Sequence, residues 1–133
     1  MPEVQLIRSP ALADTAPYAY AAVVGPGRTV FTAGACPLDD AGNVVAVDDV
    51  AGQAERVMEN LVIALRASGA ELSDVAKSTV YVASSHRADL VAAWDVVRRH
   101  FGDHDAPSTL LGVAVLGYPH QLVEVEAVAV LPA

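Results

Sequence analysis

The chain has 133 residues, 53% of them apolar and 18% charged, a composition that supports a buried core and excludes an intrinsically disordered chain. Sixteen acidic residues against eight basic ones leave a net charge of −8, which repels phosphate backbones and argues against a nucleic-acid partner. The single cysteine, Cys36, excludes an intramolecular disulfide.

No repeat, charge block or low-complexity stretch divides the sequence, so residues 1–133 read as one domain. The first thirty residues lack a basic segment followed by an apolar one, and no apolar run approaches the roughly 20 residues that cross a bilayer. The expectation is a soluble, cytoplasmic protein with no membrane partner.

Leu6 and Ile7 open with a short strand, and residues 9–17, with two prolines, form a loop. Residues 19–24 and 29–33 are apolar, β-branched runs around Gly25-Pro26-Gly27-Arg28, the pattern of a hairpin. A strand follows those glycines, so the helix N-terminus of a phosphate-binding loop is missing. Residues 37–42 form a loop and turn. Asp48 or Asp49 then caps a helix on which Val50, Ala54, Val57, Met58, Leu61 and Leu65 recur at helical spacing. Ser68-Gly69 closes it, with Gly69 in the left-handed position. Residues 75–83 alternate as a strand. Ser84 or Ser85 caps a second helix, whose apolar face is Leu90, Trp94, Val97 and Phe101 and which ends at Gly102.

Two strands, 109–116 and 122–131, finish the chain. In the last, Val123, Val125, Ala127, Ala129 and Leu131 share one face, and Glu124, Glu126, Val128 and Val130 share the other. The strand before it is apolar on both faces. One layer of two helices covers only one face of a sheet, so the second face predicts a symmetric partner. The order β-β-α-β-α-β-β makes an α+β fold, a mixed sheet with two helices on one face.

Glu124 and Glu126 come first among candidate chemical groups. Two residues apart on a strand, their backbones lie about 6.6–6.8 Å apart, a separation that suits an acid and a base if buried and a pair of surface charges if not. His100 and His104 are spaced as metal ligands on a helix, but Gly102 interrupts them and a surface loop is the better reading. His86 lies before the second helix, and His120 sits in the turn between the last strands. Cys36 has no basic neighbour in sequence to activate it and reads as an inert thiol. Trp94 is either core or a pocket wall, and the Tyr18 hydroxyl needs a partner wherever it is buried.

Several segments stand in a recognisable order: Ala16-Pro17-Tyr18, Val30-Phe31-Thr32-Ala33-Gly34, Gln53, Asn60-Leu61, Ser68-Gly69-Ala70, Lys77-Ser78-Thr79-Val80-Tyr81-Val82, Pro107, and Val123-Glu124-Val125-Glu126-Ala127-Val128-Ala129. In order and spacing the chain resembles the RidA/YjgF family, once labelled endoribonuclease L-PSP. The resemblance implies a chorismate-mutase-like homotrimer with small-molecule clefts between subunits, no cofactor and no metal. It also implies hydrolysis of enamines and imines such as 2-aminoacrylate. Glu124 and Tyr18 take the catalytic positions, and Ala33, Gly34, Trp94, Thr109 and Leu111 the substrate-binding ones.

Several of those positions depart from the family pattern. Thr109 replaces the arginine that holds a substrate carboxylate, Ala33 a serine, Ala35 a glutamine, Trp94 an asparagine and Leu111 a cysteine. A bidentate, permanently charged anchor gives way to one neutral hydroxyl. The expectation is a larger, less polar, uncharged substrate for an enamine- or imine-converting enzyme. The alternatives are a non-catalytic binding trimer and a conventional 2-imino acid deaminase.

Overall fold

The structure is a computed structural model and describes residues 3–133. In chain order the elements are β1 (Val4–Ile7), β2 (Ala21–Val24), β3 (Gly27–Phe31), α1 (Val50–Ala67), a 3-10 turn (Leu72–Asp74), β4 (Val75–Val82), α2 (Arg87–Phe101), β5 (Ser108–Gly112) and β6 (Val123–Pro132). The expected α+β arrangement holds, with both helices on one face of a mixed sheet.

Helix α1 follows from its punctuation and its stripe. Asp49 stands in extended backbone and accepts from the Gly52 amide at 3.0 Å, which settles the choice between the two aspartates. At the other end Gly69 takes φ +86°, a left-handed turn that suits glycine, and the Ala70 amide closes back on the Leu65 carbonyl at 2.8 Å. Ala54, Val57, Met58, Leu61 and Leu65 are fully buried against Val80, Val82, Val123, Val125 and Ala129. Each large side chain removed from water there contributes about 1.5–3 kcal/mol.

Helix α2 departs from expectation at its start. His86, not a serine, occupies the cap position and makes no side-chain cap bond. Ser84 serves from outside the helix: its hydroxyl accepts from the His86 amide at 3.0 Å and donates to Asp89 at 2.6 Å.

The expected hairpin of residues 19–24 with 29–33 does not form. The main sheet runs β3-β6-β4-β5, with β4 and β5 parallel and the other pairs antiparallel. β2 pairs instead with β1 in a separate two-stranded ribbon. The linker explains the change. Pro26 has no amide hydrogen to close a hairpin, and the Gly25 amide is spent on the Glu3 carbonyl at 2.8 Å. β3 finds a longer apolar partner in β6. The ribbon is tied down at the α2–β5 loop, where the Asp105 carbonyl accepts from the Ala19 amide at 2.8 Å and Arg8 pairs with the Asp105 carboxylate at 3.0 Å.

β5 also ends at Gly112, four residues before the expected end. Its partner β4 stops at Val82, and the Val113 amide closes on the Val82 carbonyl at 2.8 Å, so the chain beyond has no strand to pair with.

On the face away from the helices, the cross-strand registers Glu124–Tyr81–Leu111 and Glu126–Thr79–Thr109 form two adjacent rows. Phe31, on the edge strand β3, is 77% exposed beside them. This is the mixed polar and apolar face that the alternation of β6 predicts.

Candidate functional site

Two side-chain amides on α1 set the loops around Glu124. Gln53, with no exposed surface, donates to the His120 carbonyl at 2.9 Å and accepts from the Leu122 amide at 2.7 Å, fixing the turn that leads into β6. Asn60 donates to the carbonyls of Cys36 and Leu38, both at 2.9 Å, fixing the loop after β3. That loop continues beside β6, where Ala35 and Val125 form an isolated bridge.

Glu124 lies between the two loops. Its Oε1 accepts from the Gln121 side-chain amide at 3.1 Å and from the Cys36 thiol at 3.3 Å. Its other oxygen, Oε2, rests over the Gly34 backbone, where a Cβ would overlap it and lie 2.5 Å from the carboxylate carbon. Gly34 therefore has a close-packing reason to be glycine. Ala33, beside it, is exposed.

Glu126 is differently placed. It accepts the Tyr81 hydroxyl, and that bond is the first cause of a raised Tyr81 pKa. The two carboxylates therefore do not work as a facing acid and base: Glu126 is engaged on the sheet, and Glu124 borders the Gly34 loop.

Gln121 is a contact that sequence reasoning missed, and Cys36, expected as an inert thiol, is the other donor to Glu124. Burial, then the bond to and charge of Glu124, raise the Cys36 pKa from 9.0 to about 11. The thiol therefore stays protonated and donates. Its alkylation rate should rise with a midpoint near pH 11, and Glu124→Gln, which removes the anionic neighbour, should lower that midpoint. The folded state keeps its proton longer than the unfolded state. The thiol's contribution to stability is thus complete below pH 9.0 and falls as pH rises through about 11. A midpoint at 9.0 in both proteins would refute this placement.

The second group of expected residues gathers elsewhere. Tyr18, Trp94, Ser108, Thr109 and Leu110 line a cavity of about 470 Å³ at the β5 edge. The Tyr18 and Trp94 rings meet edge to face, centroids 6.5 Å apart, and Tyr20 flanks Tyr18 at 5.9 Å. The Tyr18 hydroxyl has no protein partner among the described residues. Leu111, 43% exposed, lies on the open face beside this cavity. Glu124 and Leu111 share a row but stand two strands apart, roughly 9–10 Å between backbones. Within one chain, then, the expected site residues form two halves near opposite sides of the sheet. Tyr18, Trp94 and Thr109 are brought together, and so are Gly34 and Glu124.

Thr109, a neutral hydroxyl where the resemblance implies an arginine, makes a contact that the sequence reading did not include. Lys77 reaches across from β4, and its ammonium donates to the Thr109 hydroxyl at 2.6 Å. The alternation of β4 carries the signal, since it puts Lys77, Thr79 and Tyr81 on the open face.

His100 and His104 are occupied elsewhere. His100 bonds Glu55 at 2.7 Å and His104 bonds the Val75 carbonyl at 2.7 Å. Among the described residues no cluster of three or more histidine, cysteine or carboxylate side chains could hold a metal, and no helix is long and apolar enough to cross a membrane.

The family model described as endoribonuclease L-PSP matches residues 9–131. Protein DfrA of Myxococcus xanthus is 37% identical over 115 residues, which cover 86% of this chain and 85% of that protein. The 2-iminobutanoate/2-iminopropanoate deaminase of Salmonella typhimurium is 31% identical over 118 residues, 82% of this chain and 90% of its own. A crystal structure of the Rid-family protein YyfB from Yersinia pestis superposes with a TM-score of 0.88 at 29% identity, covering 97% of this chain and 99% of that one.

Proposed function

The chain belongs to the endoribonuclease L-PSP family, also known as the Rid/YjgF family, and from that premise we propose that it hydrolyses or tautomerises small enamines or imines in clefts between its own copies. The observation that carries this reading is Glu124, with one oxygen held by two donors and the other beside Gly34. A carboxylate so held is a fixed proton acceptor. In the hydrolysis, Glu124 takes a proton from water as the water oxygen bonds to the imine carbon. That proton passes to nitrogen to give the carbinolamine, whose hydroxyl proton then moves to nitrogen as the C–N bond breaks and ammonia leaves a carbonyl product. An enamine first gains a proton at carbon and loses one from nitrogen to become the imine. The unpartnered Tyr18 hydroxyl would donate to the substrate's developing charge, and Trp94 and Leu111 would accept a larger apolar side chain. The deaminase name of the Salmonella relative supports the reaction class.

The two halves suggest the assembly. A cavity at one edge of the sheet and a carboxylate toward the other are completed when copies join head to tail, an arrangement that closes into a ring. A homotrimer gives three clefts, each with the Tyr18 cavity of one copy against the Glu124 of the next.

The direct test is ammonia and oxo-acid release from freshly generated 2-aminoacrylate and 2-iminobutanoate, with light scattering for the assembly. Acceleration over the uncatalysed rate is expected. Mixing tests the shared cleft. Glu124→Gln subunits and Thr109→Trp subunits, each inactive alone, should regain activity when co-refolded, because roughly a quarter of clefts then have two intact halves. No recovery would sink the shared cleft. The second reading, a non-catalytic binder, draws support from a cavity lining that carries no formal charge. Tight binding without conversion would favour it.

A further inference from the structure

We propose that Lys77 is the charge-selecting residue of this cleft, holding an anionic group of the substrate together with Thr109. The inference rests on the preceding reading that the Tyr18–Trp94–Thr109 cavity is the substrate site. None of the residues lining that cavity carries a formal charge, yet its Thr109 hydroxyl accepts the Lys77 ammonium at 2.6 Å. Lys77 also lines a depression of about 170 Å³ with Phe31, Thr32, Thr79 and Glu126, and its ammonium reaches Thr109 on β5. Among the described residues Lys77 makes no ion pair. Glu126, which lines the same depression, accepts the Tyr81 hydroxyl on one oxygen and makes no ion pair with Lys77.

The hydrogen-bond inventory of the pair is a donor's inventory. An ammonium has three N–H groups, and Thr109 accepts one. Having accepted, the Thr109 hydroxyl has its own hydrogen left to give. Two N–H groups and one O–H therefore remain at the Lys77–Thr109 pair, whose Thr109 lines the cavity, a donor set that complements an oxyanion. Burial lowers the Lys77 pKa, so the ammonium is already partly stripped of water and gives up less hydration to a ligand. On a chain of net charge −8 the long-range field repels anions, so selection for one must be local. Lysine acts as a point charge and not as a fork, so it sets the sign of the ligand more strictly than its geometry. The loss of arginine then leaves the cleft selective for an anion, and relaxed about how the anion sits.

The experiment compares two ligands of one shape, 2-oxobutanoate and 2-oxobutanamide, by titration calorimetry on the assembled protein. The unaltered protein should bind the carboxylate at least about tenfold more tightly than the amide. Lys77→Met should abolish that preference and leave amide binding within about twofold, and Lys77→Arg should retain it. Equal binding of both ligands by the unaltered protein, binding of neither, or equal loss of both in Lys77→Met overturns the proposal. Nothing is turned over in this titration. A lost charge preference therefore removes Lys77 from the site without touching the chemistry assigned to Glu124, which fails only on ammonia release.

Discussion

Glu124→Gln is expected to lower kcat/KM for ammonia release about 100- to 10,000-fold, the range typical of a positioned proton acceptor. The substitution keeps the shape of the side chain. Its amide oxygen can still accept from the Gln121 amide and the Cys36 thiol, the two bonds that hold the carboxylate now. It cannot take a proton from water at neutral pH. Most of the loss should therefore fall in kcat, with KM changed no more than a few-fold. The control is Glu126→Gln, two residues along the same strand face. Glu126 is engaged by Tyr81 and lies away from the Gly34 loop, so its loss should cost activity less than about threefold. Similar effects at the two positions would mean that the face needs negative charge and that neither residue is the acceptor. Thermal melts and light scattering on both variants separate chemistry from folding.

What was legible in the sequence follows the range of the interactions involved. The stripe of α1, its aspartate cap and its Gly69 stop each rest on contacts no more than five residues apart along the chain; the stripe and the stop appear as read, and Asp49 is the cap of the two aspartates offered. The alternation of β6 is local too, and all five of its expected inward residues are buried. The hairpin failed because alternation identifies a strand without naming its partner. Nothing within residues 19–33 shows that β3 will pair with a strand a hundred residues later, or that Glu3 will take the Gly25 amide. Cys36 reads as inert from its lack of a basic neighbour, and the structure agrees: burial first, and then Glu124, 88 residues away in sequence, raise its pKa. Lys77 and Thr109 meet only because β4 and β5 run parallel, 32 residues apart in sequence. The family resemblance supplied Glu124, Gly34, Tyr18, Trp94 and Thr109 as one site, and the single chain divides them between two sides of the sheet.

Gly34→Ala is expected to reduce activity nearly as far as Glu124→Gln while leaving the melting temperature almost unchanged. The backbone at Gly34 lies outside the left-handed region, so alanine meets no conformational strain there. The difficulty is one of space. An added Cβ overlaps Oε2 of Glu124 and comes within 2.5 Å of its carboxylate carbon and 2.8 Å of its Cγ. The obstructing atoms belong to the outer part of a flexible side chain, so the carboxylate can swing away and the backbone need not move. In swinging it gives up the bonds from Gln121 and Cys36 and leaves the position from which it would meet the attacking water. A displacement of about 1 Å in a catalytic group can cost about 100-fold in rate. The Cys36 titration reports the same movement independently of turnover. Once the carboxylate has moved, the thiol midpoint should fall below its value of about 11, as in Glu124→Gln. If the alanine variant loses activity with that midpoint unmoved, Gly34 contributes its own backbone to the substrate and not room for Glu124. If it keeps full activity, the carboxylate does not need the place it occupies, and the role assigned to it falls.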